Sequence, residues 1–481
     1  MGSLVLGLFL ALGSACSEPG APEAAAGTGG QGGGVAGAGA GVGGSSGAPA
    51  GLGGSSAGSS GGGAGGSAAG SSSAGGQAGS AAGGASNLGG ASNGGTAGTA
   101  GTVGVAGAAN PGWVGSWATA QQLTEDANEP PSPGLANNTL RQVFQVSLGG
   151  TRVRLRFSNE YGNAPLTLTK VHCALSAGGG AIMSNTDTAL TFAGSASVTL
   201  QPKEAIFSDP AEFALAPASK LAVSIQFGAV PSDITGHPGS RTTSYLQAGD
   251  GVASASLSAP ATTDHWYVLS GLDVMASDSR ALVILGDSIT DGRGSTTNGN
   301  DRWPDALAAR LRGNAATAKV GVLNLGIGGN SVVSGGLGPT AQARFDGDVL
   351  KQSGVKWLIV FEGVNDIGEA TGTAVATSLI EAYKGFVTKA RGAGLGVFGA
   401  TILPFKGHSY YSADHELARQ TVNDWIRQAG NFDAVIDLDA AVRNPAQVDT
   451  LLSTYDQGDH LHLNPSGYKK LADTVDLALF K

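Results

Sequence analysis

The chain is poor in cysteine, in long apolar runs and in basic residues, and each shortage argues against one class of protein. Cys16 and Cys173 are its two cysteines among 481 residues, too few for a disulfide-rich scaffold. Its first apolar run, Leu4–Leu12, is well below the ~20 residues that a membrane-spanning helix needs. Basic residues are also scarce, since 27 Lys and Arg stand against 36 Asp and Glu, a net charge of −9. This balance argues against nucleic acid or an anionic membrane surface as the main partner.

Glycine is present in excess, with 81 residues in the chain. From about Pro19 to Ala109 the sequence is almost only Gly, Ala and Ser. Such a tract has no large apolar side chains to bury. We therefore predict a disordered linker over residues 17–110, with an r.m.s. reach on the order of 50 Å. The roughly 370 remaining residues are enough for two well-buried domains.

Residues 1–16 have the pattern of an export signal, because a short apolar segment is followed by small residues and then by Cys16. This resembles a bacterial lipoprotein signal. The resemblance implies that Cys16 is lipidated and that the protein is exported as a cell-surface or outer-membrane lipoprotein. The lipid would then be its only contact with a membrane. The alternative is an ordinary secretory signal cut after Ala15, which would give a secreted protein.

Residues 111–276 are predicted to form an antiparallel β-sandwich domain. Short stretches of alternating polar and apolar residues recur there, with turn residues between them and no helical period. Two of them, residues 141–148 and 151–157, flank Gly149 and Gly150, which predicts a two-residue hairpin. Cys173 alternates with apolar residues and is predicted to be a small core residue.

The aromatic side chains of this region leave two interpretations open. Packing in the core is favoured over stacking on sugar rings. The side chains concerned are Trp113, Trp117, Trp266 and Tyr267. The histidines of the region lack the spacing of metal ligands and are predicted to be structural or exposed; they are His172, His237 and His265.

Residues 277–481 alternate apolar strands with amphipathic helices, which predicts a parallel sheet with helices on both faces. The predicted strands are 281–285, 320–325, 357–361, 396–403 and 434–438. The predicted helices lie near 303–312, 341–351, 375–391 and 416–429, and a last one begins at Asn464 and Pro465. There, Asn can cap the helix and Pro suits its first position.

Four polar turns adjoin the carboxyl ends of the first three strands and the start of the last helix. They are residues 286–288, 324–330, 363–366 and 459–462. Because the carboxyl ends of parallel strands meet at one rim, the topology brings the turns together. They contain a serine hydroxyl, a histidine with a carboxylate, and amide donors. This is the set of groups that acyl transfer needs.

In this order, the four blocks resemble the SGNH hydrolases, also called the GDSL esterase/lipase family, which have a flavodoxin-like fold. The run 286–292, continued by 300–304, is similar to a subfamily of arylesterases and acylhydrolases linked to xylan breakdown. Residues 138–142 and 158–162 are similar to the N-terminal part of such proteins. The resemblance covers the chain from Gly112 onward. It implies a carboxylic ester hydrolase that needs no cofactor and no metal.

The resemblance also implies a role for each matching residue. Ser288 is the nucleophile, and its own backbone N–H is one oxyanion donor. Gly329 supplies a second backbone N–H, and Asn365 supplies a side-chain amide as the third donor. His462 is the general base, and Asp459 holds its imidazole in the required tautomer.

The same turns also allow structural and metal-binding roles for some of their residues. Asp287 is expected to bond to nearby backbone N–H groups, and Asp366 to be a structural partner. The pair His460 and His462 beside Asp459 could alternatively hold a metal. No third histidine or cysteine cluster completes such a site, and the serine would be left without a base, so the triad is favoured.

The expected function is hydrolysis of short acyl esters, above all acetyl groups on plant or microbial polysaccharide. The ring side chains that follow the fourth strand could shape the rim of the pocket; they are His408, Tyr410, Tyr411 and His415. The loop 404–414 is the expected variable wall of the pocket. The alternative is a surface carbohydrate-binding protein whose hydrolase domain is secondary or acts on lipid or aryl esters.

Overall fold

The computed structural model describes residues 112–481. The predicted signal peptide, Cys16 and the predicted linker lie outside the described residues. None of the helices in the described range combines the length and the apolarity needed to cross a bilayer.

The first part of the described chain is built of strands that pair antiparallel. They are β1 (Trp113–Ala118), β2 (Gln122–Leu123), β3 (Thr139–Gln145), β4 (Gly150–Ser158), β5 (Leu166–Gly178), β6 (Ala181–Ile182), β7 (Thr188–Leu190), β8 (Val198–Leu200), β9 (Ala205–Phe207), β10 (Ala211–Leu215), β11 (Lys220–Phe227), β12 (Thr235–His237), β13 (Ser244–Gln247), β14 (Ala261–Thr263), β15 (Trp266–Tyr267) and β16 (Leu269–Met275). Short 3-10 helices lie at Asp126–Asn128 and Ser184–Thr186.

These strands form three sheets. One has the order β1-β16-β4-β10 with β9 also on β4, and a second has the order β14-β13-β3-β11-β5-β6 with β7 and β8 also on β5. The third is β15-β12-β2. The first two sheets contact each other where Trp117 stacks on Phe144, with ring centroids 4.0 Å apart. Trp117, Trp266 and Tyr267 are buried, so these rings pack in the core and offer no sugar platform. Cys173 is a buried core residue as predicted, and burial raises the pKa of its thiol to about 12.

The predicted hairpin at Gly149 and Gly150 is wrong. β3 pairs with β11 and β13, whereas β4 pairs with β16, β10 and β9, so the chain crosses from one sheet to another between them. Neither glycine has the positive φ that a two-residue hairpin turn requires. Gly149 instead permits close packing, because a Cβ there would lie 2.4 Å from the carbonyl oxygen of Leu215.

The second part of the chain forms the predicted parallel sheet, with the strand order β18-β17-β19-β20-β21. This order is flavodoxin-like. The strands are β17 (Arg280–Gly286), β18 (Val320–Gly326), β19 (Val355–Phe361), β20 (Gly396–Ala400) and β21 (Ala434–Ile436), followed by a hairpin of β22 (Arg443–Asn444) and β23 (Gln447–Leu451). The helices are α1 (Ser288–Asp291), α2 (Trp303–Arg312), α3 (Ala341–Phe345), α4 (Val364–Glu369), α5 (Val375–Gly392), α6 (Ala413–Arg427), α7 (Leu438–Val442) and α8 (Pro465–Thr474), with a π-helical turn at Asp346–Leu350 and a 3-10 helix at Leu477–Phe480.

Element ends differ from the predictions where side chains intervene. β20 ends at Ala400 rather than 403, because the N–H of Ile402 donates to Asn423 of α6 and not to a neighbouring strand. α8 begins as predicted, with Asn464 accepting a hydrogen bond from the N–H of Gly467. The apolar strands of the parallel sheet are buried, so their positions follow from hydrophobicity alone.

The two parts of the described chain share one continuous core. β1 lies against β18, where Gly115 approaches so closely that a Cβ would be 2.8 Å from Leu323. The N–H of Gly115 donates to the carbonyl of Ser353, and the N–H of Val322 donates to Ser147 Oγ. The antiparallel part therefore packs directly against the parallel sheet.

Candidate active site

Ser288 is placed by a tight turn at the end of the central strand β17. A Cβ on Gly286 would lie 2.2 Å from Thr290 Oγ1, so this residue must be glycine for the turn to close. Asp287 caps α1, since its Oδ1 accepts from the N–H of Ile289 at 2.9 Å. This is the structural role expected for Asp287, and burial raises the pKa of its carboxyl to about 7.

The structure brings Ser288, His462 and Asp459 together. Ser288 Oγ lies 2.8 Å from His462 Nε2, and His462 Nδ1 lies 2.7 Å from Asp459 Oδ2. Asp459 Oδ1 accepts from the N–H groups of Leu461 and His462, which fixes the turn before α8. Because Nδ1 faces a carboxylate, it carries a proton, and Nε2 is then free to accept the serine proton.

The surroundings of Asp459 and His462 set the protonation states that this proton transfer needs. Burial opposes ionisation of Asp459, but hydrogen bonds from the His462 N–H and imidazole and from the Leu461 N–H outweigh it. The pKa of Asp459 therefore lies well below its usual range, so the carboxylate is ionised. Burial lowers the pKa of His462 from its ordinary 6.5, although Asp459 acts in the opposite direction. At neutral pH the ring is thus in its neutral form, the form that can accept a proton.

Amide donors face the same cavity from the next two strand ends. Gly329 follows β18 and has a φ of +70°, a backbone angle that residues other than glycine rarely adopt. Asn365 lies in the first turn of α4. The backbone N–H groups of Ser288 and Gly329 have no acceptor among residues 112–481. Asn365 Nδ2 donates to the carbonyl of Asn330, and Asn365 Oδ1 accepts from the hydroxyl of Tyr410 at 3.2 Å. These two bonds fix the orientation of the amide and leave its second N–H for a ligand.

A family model matches the part of the chain that contains this candidate site. Residues 284–470 match the model of the GDSL-like Lipase/Acylhydrolase family. This stretch is a GDSL-like lipase/acylhydrolase domain. The protein is therefore an ester hydrolase. A comparison with curated proteins finds no match.

Solved structures similar to the GDSL domain include three enzymes. An acetylxylan esterase from Geobacillus stearothermophilus is 20% identical, with 40% of this chain and 91% of that chain covered and a TM-score of 0.31. A GDSL-like lipase from Bacteroides thetaiotaomicron is 17% identical, covering 42% and 87%, also with a TM-score of 0.31. An alpha/beta hydrolase from the metagenome of Lake Arreo, Spain, is 19% identical, covering 40% and 92%, with the same TM-score.

His460, the rival histidine, lies apart from the serine of the GDSL domain. Its Nδ1 lies 2.7 Å from Asp456 Oδ2, and its ring is 54% exposed, whereas His462 is buried. Within residues 112–481, no group of three or more His, Cys, Asp or Glu side chains is placed to hold a metal. Asp366 accepts from the N–H groups of Val332 and Val333 and so holds the loop after β18, a structural role.

The candidate active site opens into a cavity of about 500 Å³. From the loop 404–414, His408 and Tyr410 line it, whereas His415 bonds to backbone carbonyls and Tyr411 bonds to Asp449. The opposite side of the cavity comes from the antiparallel part of the chain. Its lining residues there include Gln122, Glu125, Asn128, Gly239, Arg241 and His265. Our sequence reasoning missed all of them, because no local pattern links them to a serine so distant in the sequence.

A buried pair joins this side of the cavity to the helix that begins at Ser288. His237 Nε2 lies 2.9 Å from Asp291 Oδ1, and His237 Nδ1 lies 2.8 Å from the carbonyl of Ala120. Gly239 packs so closely on Asp291 that a Cβ there would be 1.7 Å from its Oδ2. His237 is thus structural, as expected, and it holds the loop after β12 against the GDSL domain.

Proposed function

We propose that this protein is a serine esterase that removes short acyl groups, above all acetyl, from carbohydrate esters. The observation that carries the proposal is the hydrogen-bonded chain from Ser288 through His462 to Asp459. Beside it lie an oriented amide and two backbone N–H groups that have no acceptor in the described part of the chain. A nucleophile, a base with its orienting acid, and donors for an oxyanion are the parts that acyl transfer requires.

In the proposed mechanism, His462 Nε2 takes the proton of Ser288 as Oγ attacks the ester carbonyl carbon. The resulting oxyanion accepts hydrogen bonds from the N–H groups of Ser288 and Gly329 and from Asn365 Nδ2. The C–O bond to the alcohol then breaks, and His462 returns the proton to the leaving oxygen. Water, deprotonated by His462, attacks the acyl-serine, and Ser288 leaves with that proton.

The lining of the cavity supports a short acyl group on a polar alcohol. Most of the lining side chains are polar or charged, and its leucines are Leu337 and Leu461. A long acyl chain needs a continuous apolar wall, because its burial is favourable only against apolar surface. An acetyl methyl needs only one such contact, and Leu337, packed on Gly329, offers it.

Comparing p-nitrophenyl acetate with p-nitrophenyl palmitate tests this proposal. We expect turnover of the acetate and little of the palmitate, since the leaving group is the same and only the acyl chain differs. Faster turnover of the palmitate would contradict the short-acyl proposal. Turnover of neither ester, together with binding of polysaccharide, would favour the carbohydrate-binding alternative.

Replacing Asn365 with alanine is expected to lower kcat by about 10²- to 10³-fold with little change in KM, because one oxyanion donor is lost in the transition state. Steady-state kinetics on p-nitrophenyl acetate measure both constants. Asn163→Ala is the matched control, since Asn163 bonds to Ser232 at an exposed site. A rise in KM at unchanged kcat would show that Asn365 binds substrate and does not stabilise the oxyanion.

The pH dependence of kcat/KM follows from the state of His462. Only the neutral ring accepts the serine proton, so activity falls as pH drops through its pKa. Because burial lowers that pKa from 6.5, we expect the midpoint of the acid limb below 6.5. A pH profile on p-nitrophenyl acetate measures it. A midpoint above about 7 would mean that Asp459 dominates over burial.

We also propose export with lipid attachment at Cys16, supported by the apolar segment Leu4–Leu12 and the small residues before the cysteine. Mass spectrometry of the native N-terminus is expected to show a lipidated Cys16. A soluble product that begins with an unmodified Cys16 would exclude the anchor and favour the secreted form.

The two larger antiparallel sheets are further proposed to form a β-sandwich domain over residues 111–276, preceding a catalytic domain over 277–481. The contact of Trp117 with Phe144 across the two sheets supports this. An experimental structure with another layer between those sheets would exclude it.

A further inference from the structure

The side of the cavity that comes from the antiparallel part has a distinctive chemistry. Glu125, Arg241 and His265 face the cavity of Ser288, and we refer to these three residues as the polar wall. All three carry hydrogen-bonding groups that the protein itself leaves wholly or partly unused. A polar group placed in a cavity without a protein partner is available to a ligand.

Glu125 is held by neutral donors. Its two carboxylate oxygens accept from the side-chain amides of Gln122 and Asn128, the latter at 2.9 Å. No Lys, Arg or His within residues 112–481 forms an ion pair with it. A carboxylate has about four acceptor positions, so lone pairs remain for hydroxyl donors.

Arg241 is the complementary donor. Its backbone has a φ of +52°, a region that favours glycine and that other residues keep only where the surroundings hold them. The nearest carboxylate oxygen, Asp291 Oδ2, lies 3.9 Å from its Nη2, beyond hydrogen-bond distance, and its Nε has no partner among the described residues. Arg241 lines the cavity, and its guanidinium donates to no acceptor among residues 112–481, so N–H groups remain for a ligand.

His265 contributes a neutral hydrogen-bond acceptor to the polar wall. Its Nδ1 lies 2.7 Å from the carbonyl oxygen of Pro238, so Nδ1 carries the proton. In the neutral ring, Nε2 is then an acceptor, and it has no partner among residues 112–481. The polar wall thus offers a cationic donor and two acceptors around one space.

We propose that the polar wall is the binding subsite for the alcohol part of the substrate and that this alcohol is a sugar. A sugar hydroxyl both donates and accepts, and vicinal hydroxyls can pair with both oxygens of a carboxylate or both N–H groups of a guanidinium. A simple aliphatic alcohol has no further hydroxyl that could bond to the carboxylate or to the guanidinium. The antiparallel part is then a substrate-recognition element of the active site, not a separate binding module. This proposal rests on the ester hydrolysis proposed above.

The test compares two acetyl esters of alkyl alcohols, mono-O-acetyl xylose and butyl acetate, which differ in the hydroxyls of the alcohol. For Glu125→Gln and Arg241→Asn, we expect KM for the sugar ester to rise about 10- to 100-fold, as for a lost hydrogen bond to a charged group. We expect kcat for the sugar ester and kcat/KM for butyl acetate to stay within about threefold of wild type. Asparagine tolerates positive φ, so the second variant removes the guanidinium without new backbone strain.

Matched controls outside the cavity are Glu212→Gln and Lys203→Asn. Glu212 is an exposed carboxylate of the same part of the chain, and Lys203 is a cationic residue that also has a positive φ, of 71°. Both controls are expected to behave as wild type on both esters. Equal losses on the two esters, or no loss on either, would overturn the sugar subsite while leaving the esterase intact. A wild-type protein that hydrolyses neither these esters nor p-nitrophenyl acetate would overturn the proposed function itself.

Discussion

Replacing Ser288 with alanine is expected to lower kcat on p-nitrophenyl acetate by about 10³- to 10⁶-fold, the largest effect of any single substitution here. The serine oxygen forms the bond to the acyl carbon, so its loss leaves only water as a nucleophile. KM should change little, because the oxyanion donors and the cavity walls are intact. Ser288 is buried, and the change removes one oxygen without altering the turn at Gly286.

A neighbouring serine supplies the control for this prediction. Ser295→Ala removes a hydroxyl that donates to the carbonyl of Gly292 and is expected to keep near wild-type activity. Mass spectrometry during turnover adds a direct readout, since wild type and Ser295→Ala should carry an acyl group on Ser288. Retention of more than about a tenth of wild-type kcat in Ser288→Ala would show that another residue is the nucleophile.

Replacing His462 with alanine is expected to cost nearly as much as the serine substitution, because a serine without a base is a poor nucleophile at neutral pH. His462 Nε2 lies 2.8 Å from Ser288 Oγ, and the Asp459 carboxylate holds the other ring nitrogen. We expect a fall in kcat of about 10³- to 10⁶-fold, measured on p-nitrophenyl acetate beside a thermal melt. A melting temperature close to that of wild type would assign the loss to chemistry.

His460→Ala is the matched control, since His460 also pairs with an aspartate but is half exposed and does not bond to the serine. It is expected to keep kcat within about threefold of wild type. EDTA is expected to leave activity unchanged. If EDTA abolished turnover, or if both histidine variants lost activity equally, the metal reading of this turn would replace the triad.

The parallel sheet was predictable because its strands are buried on both faces. β17 contains the apolar run 281–285 and β19 the run 357–361, with Gly286 and Gly363 shortly after them, and no tertiary contact is needed to recognise these runs. The rim at their carboxyl ends then follows from topology. That is why turns far apart in the sequence could be assigned to one site, and the structure does bring Ser288, Asp459 and His462 within hydrogen-bond distance.

The antiparallel part was predictable only in its strand character. Gly149 and Gly150 look like a hairpin turn, yet the strands on either side join different sheets. Alternating polarity shows which residues face inward but not which strand lies next to which, because many pairings bury the same faces. Gly149 packs closely on Leu215 and Gly150 packs on Val274 and Met275, contacts that the local sequence does not reveal.

The sequence by itself therefore determined the parallel sheet, the order of its polar turns and the residues offered for catalysis, because each is encoded in a few adjacent positions. Only the tertiary structure decided the surroundings of the site. Tyr410 orients Asn365, and Arg241 and His265 face the cavity, through contacts between segments distant along the chain. Such contacts form only when the sheets pack against each other, so no single segment of the sequence indicates them.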